Sequence, residues 1–240
     1  MKNSSNELYR GDDYGNKNQT WHLEDAARKV DNIYYLLKKN SITPNHIADV
    51  GCGAGGVLEA LSTKYPHAQS FTGYDISSRA IEIARQNQTG NVRFLNEDFT
   101  GNTSSFSDVL LVIDVIEHVD DFYGFLRKLR HRSKYFIFHI PLDLCCRSVI
   151  KPYIMLQQRE SVGHIHYFTK EMVVWFLSDI GYHIVDWIYT KPDIDIIPPQ
   201  SFRIFLKKYL RSFSFQLNKD LSAKLWGGYS MMILAKQKLS

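Results

Sequence analysis

Three acids surround a cluster of glycines. In "HIADVGCGAGGVLEAL", residues 46–61, an apolar segment runs into Gly51, Gly53, Gly55 and Gly56 and then into a helix-like pattern. Glycine permits positive φ and lets a ligand touch the backbone. A glycine turn between a strand and a helix sits at the helix N-terminus and the carboxyl end of a sheet, where polar ligands bind. Gly51, Gly53 and Gly56 match G-x-G-x-x-G literally, a pattern that also admits a dinucleotide. The acids argue for something else. Asp49, two residues before Gly51, would repel a pyrophosphate and suits an ammonium group. Asp75 ends "SFTGYDI" at the spacing of an acid that accepts from ribose hydroxyls. Asp98, in "NEDF", falls near where an adenine amino group would lie. With three acids and no basic residue around the glycines, the expected ligand is a nucleoside with a cationic tail and no phosphate. S-adenosylmethionine has those features.

The elements that must position these residues follow from periodicity. "HIADV", "SFTGYDI", "NVRFLNEDF", "SDVLLVIDVIEHV" and "SKYFIFHIPL" read as five successive strands, the fourth apolar enough to be covered on both faces. Between them "GVLEALSTKY", "SSRAIEIARQN" and "DDFYGFLRKLRH" read as helices, the second capped by Ser77 or Ser78. "TKEMVVWFLSDIG" is a helix with Thr169 as N-cap and Gly181 beyond its C-terminus. "YHIVDWIYT" and "GGYSMMILAKQ" read as two late strands. Ahead of them all, the stretch from Trp21 has Ala26, Val30, Ile33, Leu36 and Leu37 at helical spacing, and Pro44 ends that region. Alternating strand and helix imply a mostly parallel sheet with helices on both faces. Residues 141–168 and 191–226, the latter with Pro192, Pro198 and Pro199, interrupt the rhythm. Insertions of that length tend to be functional.

Composition narrows the class. A chain of 240 residues with 44% hydrophobic content suits one α/β domain with insertions. No apolar run is long enough to span a bilayer, and the first residues lack a signal-peptide core, so a cytoplasmic location is expected. Cys52, Cys145 and Cys146 form neither a disulfide framework nor a zinc pattern and read as reduced thiols. A formal net charge of +4 permits an anionic substrate but is no nucleic-acid signature.

"DVGCGAG", "GYDIS", "NEDF", "DVLLVIDVIEHV" and "FHIPL" follow one another as the ordered motifs of class I S-adenosylmethionine-dependent methyltransferases, which the chain resembles over roughly residues 20–190. The resemblance implies a Rossmann-like seven-stranded sheet, mostly parallel with an antiparallel last strand and helices on both faces. It implies one domain over 1–240, with an N-terminal helical cap (about 1–42) and a substrate lid built from the two insertions. It implies S-adenosyl-L-methionine as cofactor and S-adenosyl-L-homocysteine as product. Asp49, Gly51, Cys52, Gly53 and Gly55 would hold the methionine end. Asp75 and Ile76 would meet the ribose and adenine, Asp98 and Phe99 the adenine. Asp114 and Val115 would lie beside the methionine moiety.

The resemblance also places the chemistry. Three segments border the expected methyl position: "DVIEHV" with Asp114, Glu117 and His118; "HIPL" with His139; and "GHIHYFT" with His164, His166 and Tyr167. "GHIHYFT" resembles a stretch whose first histidine faces the substrate in small-molecule members, which makes His164 the leading general base, with His166 and His139 behind it. Holding the loop by a hydrogen bond is an equal use for either of the first two. Asp114, Glu117, His118 and a downstream histidine also resemble the E-x-x-E-H pattern of magnesium-dependent members; "EHV" occurs without metal too, and no metal is expected here. Trp21 and His22 would close over the cofactor or pack in the core.

"SFRIFLKKYLRSFSF" mixes apolar residues with Arg203, Lys207, Lys208 and Arg211, and is expected to be a substrate cap with its cationic face exposed, the other readings being a homodimer face, a membrane surface or an ordinary solvated cationic face. The expected reaction is methylation of a small molecule such as a sugar, lipid precursor or secondary metabolite, by O-methylation on His164. No nucleic-acid partner and no stable membrane insertion are expected. An RNA or protein acceptor, a non-catalytic binding module and an NAD-dependent oxidoreductase are the competing readings.

Overall fold

A computed structural model describes residues 23–101, 106–191 and 201–238. The expected roles of residues 1–20, Trp21, His22 and the prolines at 192, 198 and 199 lie outside these. The first helix, α1 (Leu23–Lys39), buries Ala26, Val30, Ile33, Leu36 and Leu37 along one stripe.

Seven strands form one sheet: β1 (His46–Val50), β2 (Ser70–Asp75), β3 (Val92–Asn96), β4 (Ser107–Ile113), β5 (Ser133–Pro141), β6 (Tyr182–Thr190) and β7 (Ser230–Gln237). Their order is β3-β2-β1-β4-β5-β7-β6. The first five run parallel, and β7 inserts antiparallel between β5 and β6. This is the Rossmann-like arrangement that the sequence predicts.

The crossover helices α2 (Gly56–Lys64), α3 (Ser78–Gln86) and α4 (Phe122–Leu129), with α7 (Lys170–Ile180) ahead of β6, cover the two faces. Side chains alternate along each strand, so Phe136 and Phe138 of β5 join one core while Ile137 joins the other. Ser77 is the cap of α3, and Thr169 and Gly181 cap α7, Gly181 with φ 102°.

Two strands are shorter than their apolar runs. β4 stops at Ile113 because Asp114 takes φ 54°, and residues 116–118 form a single 3-10 turn instead of continuing the strand to Val119. β3 stops at Asn96; Asp98 then closes a turn by accepting from the Thr100 N–H (2.9 Å) and hydroxyl (2.8 Å).

The insertions are helical. Residues 141–168 contain α5 (Cys146–Ile150) and α6 (Tyr153–Ser161), and the second insertion contains α8 (Phe202–Leu217) and α9 (Lys219–Trp226). None of the three cysteines is paired.

Candidate active site

A cleft of about 770 Å³ opens at the carboxyl ends of β1, β2, β4 and β5. Its floor is the glycine turn. Gly51 has φ 76°, its N–H donates to the Tyr74 carbonyl (2.8 Å), and a Cβ there would fall 2.5 Å from Val115 Cγ2. Only glycine fits both the conformation and the space. Gly53 donates to Asp75 Oδ2 (2.9 Å), which ties the turn to the end of β2.

Gly55, expected to touch the ligand, instead faces the core: a Cβ on it would meet the Phe94 ring at 2.4 Å, and it does not line the cleft. The Cys52 thiol likewise points into the core, where burial pushes its pKa up; the residue still borders the cleft.

Asp49 is 2% exposed, and its Oδ1 has no hydrogen-bond partner. Burial, with the Asp75 charge adding to it, raises its pKa well above the carboxylate range. Such a group calls for a cation. Asp75 also accepts from the Ser77 N–H (2.8 Å), and burial raises its pKa against those hydrogen bonds. Ile76 and Phe99 line the cleft, the Phe99 ring edge-on to Tyr74 at 4.7 Å; Asp98 is exposed at its mouth.

The far wall departs from expectation. A basic residue does reach the site: Lys29 of α1 pairs with Asp114 Oδ2 at 2.8 Å. Burial opposes its charge, but the Asp114 carboxylate outweighs that and raises its pKa. Asp114 Oδ1 meets His139 Nδ1 at 2.5 Å. Burial disfavours the Asp114 charge, yet His139 and Lys29 hold its pKa well below the usual range. These two partners pin the carboxylate of a residue in the left-handed region, which accounts for the early end of β4. Lys29 was legible after the fact, since it falls on the buried stripe of α1 between Ala26 and Ile33.

The three histidines named as bases part company. His139 has both ring nitrogens engaged, the second with Thr190 Oγ1 at 2.9 Å. His166 does not line the cleft; its Nε2 binds the Val119 carbonyl (2.9 Å) and its ring packs on Phe122. His164 lines the cleft, with Nδ1 2.8 Å from Asp143 Oδ2. A carboxylate there accepts a hydrogen bond from Nδ1–H, which holds the proton on Nδ1 and leaves Nε2 as the base. Asp143, 7% exposed, follows "FHIPL" directly and was missed; an acid just beyond a strand's carboxyl end was the available signal.

Glu117 sits behind His164. It is fully buried, and neither carboxylate oxygen has a hydrogen-bond partner. Burial, then the Asp114 charge, raises its pKa well above the ordinary value. His118 Nε2 and His164 Nε2 lie 3.9 and 4.0 Å from Glu117 Oε1. His118 Nδ1 faces the Gly163 carbonyl at 3.2 Å. The Ile165 and His166 N–H groups both donate to the Glu117 carbonyl (2.9 and 3.1 Å), which locks the "GHIHYFT" loop to the 3-10 turn.

A sequence model of the methyltransferase domain matches residues 21–186. The chain belongs to the methyltransferase domain family. Within it, the chain is similar to the ubiquinone biosynthesis O-methyltransferase of Coxiella burnetii, 30% identical over 106 residues, 42% of each chain. It is also similar to the enzyme of that name from Vibrio vulnificus, 26% identical over 128 residues, 48% of this chain and 52% of that one. The match thus spans about half the length of these curated relatives.

Two solved methyltransferases share the fold. Magnesium protoporphyrin IX methyltransferase from Synechocystis PCC 6803 with bound SAH superposes with a TM-score of 0.65 at 15% identity, over 98% of this chain and 100% of that one. The plantazolicin methyltransferase in complex with SAH gives 0.59 at 20% identity, over 98% and 95%.

Proposed function

We propose that this methyltransferase-family protein moves a methyl group from S-adenosylmethionine to a hydroxyl of a small molecule, with His164 as general base. The observation that carries the reading is the pairing, in one cleft, of an unpartnered buried carboxylate at Asp49 with the Asp143–His164 dyad. S-adenosylmethionine supplies a methyl group made electrophilic by its sulfonium. Asp49 fits the ligand's ammonium, Gly51 and Gly53 its close approach, Asp75 the ribose hydroxyls, and Ile76, Phe99 and Asp98 the adenine. Val115, packed against Gly51, shapes the wall beside the methionine moiety. His164 Nε2 takes the acceptor's proton while Asp143 fixes the ring. Gln158 and Val162, at the end of α6, line the cleft, which supports the first insertion as a lid. No residue of 202–226 lines the cleft, so the described structure lends no support to α8 as the substrate cap expected of it. The relatives named for ubiquinone biosynthesis support a small-molecule acceptor and oxygen as its methylated atom.

One observation favours a second reading of the same site. Glu117, His118 and His164 can each turn one ligand atom into a space where all lie within 4.8 Å of one another. Both histidines hold their other ring nitrogen on an oxygen acceptor, as metal-bound imidazoles do. A divalent cation held there would acidify an acceptor hydroxyl. Asp114, the other acid considered for such a site, is engaged with Lys29 and His139.

Calorimetry tests the cofactor. S-adenosylhomocysteine is expected to bind at one site per chain and NAD not at all; tight NAD binding with no binding of the homocysteine ligand overturns the reading. Asp75→Ala is expected to weaken that binding by ~1.5–3 kcal/mol, roughly ten- to a hundredfold. Because Asp75 also holds the Gly53 and Ser77 N–H groups, the melting temperature falls by several degrees as well. Unchanged affinity in the folded variant would show that Asp75 does not meet the ribose.

A further inference from the structure

The helix α8 is amphipathic the wrong way round for a core helix. Phe202, Phe205, Leu206, Tyr209, Leu210 and Phe213 recur at helical spacing along one stripe, and all are exposed, Phe202 at 77% and Tyr209 at 60%. The inward side is anchored by polar groups and by Phe215, whose ring stacks 4.9 Å from Tyr229. Arg211 is 1% exposed, donates to the Gly227 carbonyl (3.1 Å) and stacks 4.9 Å from the Tyr229 ring centroid. Ser214 bonds Ser222 (2.9 Å) and accepts from Trp226 Nε1 (3.0 Å). These contacts seat the helix firmly with its apolar face outward. An exposed aromatic stripe of this extent marks an interaction surface.

Charge decides what covers it. α8 contains no acidic residue. On a 3.6-residue helix the exposed Arg203 borders the stripe, and Lys207 and Lys208 lie half-buried behind its two edges. Cations at both edges of an aromatic stripe match an interface where apolar side chains enter acyl chains and basic stems reach anionic headgroups. A two-fold contact between copies of this helix would instead bring two acid-free, basic helices together.

We propose that α8 docks this protein peripherally on an anionic phospholipid surface. No helix among the described residues is long and apolar enough to cross a membrane, so the contact is one of surface insertion. The inference does not rest on the methyl-transfer reading. It places the protein where an amphiphilic acceptor would be concentrated, because Gly228 and Ser230, next to the loop that Arg211 holds, line the cleft.

Co-sedimentation of the full chain with phosphatidylglycerol vesicles and with phosphatidylcholine vesicles tests it. Partition is expected to be at least ~tenfold stronger on the anionic vesicles and to weaken at high salt. The double substitution Phe205→Glu/Phe213→Glu should lower that partition by at least ~tenfold, with S-adenosylhomocysteine affinity and far-UV circular dichroism unchanged. Should that variant not fold, Arg203→Glu, on an exposed border position, should still lower binding to the anionic vesicles and leave the weak binding to neutral ones unaltered. Equal partition on both vesicle types overturns the proposal. So does absence of partition, including the case of a dimer dissolved by the same substitutions, which would make the stripe an interface between copies.

Discussion

Replacing His164 with alanine is expected to lower turnover by ~10²–10⁴-fold, the loss of a positioned general base, while S-adenosylhomocysteine still binds. The geometry sets the expectation. Asp143 accepts a hydrogen bond from Nδ1–H, so Nε2 is the basic nitrogen, and the loop that carries it is locked onto Glu117 by two backbone hydrogen bonds. Asp143→Asn should reproduce much of the loss, since an amide can present a hydrogen to Nδ1 and favour the wrong tautomer. An already neutral amine acceptor needs no base; the His164→Ala loss would then be smaller and fall partly on substrate affinity.

The metal reading makes a different demand. Activity that vanishes with chelator and returns with magnesium would assign Glu117, His118 and His164 as ligands, and His164→Ala would then raise the magnesium needed rather than set a fixed floor. Full activity in both the alanine variant and the chelator-treated enzyme would refute both, and leave positioning as the source of catalysis. His139→Ala and His166→Ala separate the histidines further. The first loosens Asp114, the second the loop, and each should lower the melting temperature without the loss of turnover expected of His164→Ala.

Asp49→Asn is expected to weaken S-adenosylhomocysteine binding by ~3 kcal/mol, about a hundredfold, and yet to stabilise the ligand-free protein. The sign follows from burial. Asp49 has a folded-state pKa well above its ordinary 3.8, so the folded chain keeps a proton that the unfolded chain releases. Its contribution to stability is fully present below pH 3.8 and is lost as pH rises from there through the raised folded value. The amide carries no such penalty. The variant's gain in melting temperature should therefore grow from about pH 4 towards neutrality, at ~2–4 °C per kcal/mol for a chain of this size.

Ligand binding runs the other way. A bound ammonium favours the ionised carboxylate, so affinity of the natural protein should rise with pH until Asp49 ionises unaided, and the variant's should stay flat. Melting curves and calorimetry across that range check both. Equal affinity in a folded Asp49→Asn protein would remove Asp49 from the ligand's ammonium.

The features legible in the chain are those with local causes. Period-two and period-3.6 patterns placed all seven strands and the crossover helices, because burial of one face writes itself into neighbouring residues. Thr169 and Gly181 announced the ends of α7 because caps are chemical requirements of a helix terminus. The glycine turn and its acids were visible because only glycine suits Gly51's backbone and the acids lie at strand ends. Even locally the reading overran: the apolar run through Val119 looked like one strand, and only the Asp114 contacts with Lys29 and His139 show why it breaks.

What the tertiary structure decided is who meets whom. Lys29 and Asp114 are far apart in the chain, Asp143 and His164 lie 21 residues apart, and Glu117 with its neighbour His118 meets His164 from a separate segment. No local pattern encodes such meetings, because they depend on where the sheet delivers each chain end. The same delivery separated His164 from His139 and His166, which are equivalent as residue types but differ in what already occupies their ring nitrogens. It also turned the apolar side of α8 outward. Its spacing specifies an amphipathic helix, but not which side the protein keeps; Arg211, seated against Gly227 and Tyr229, decided that.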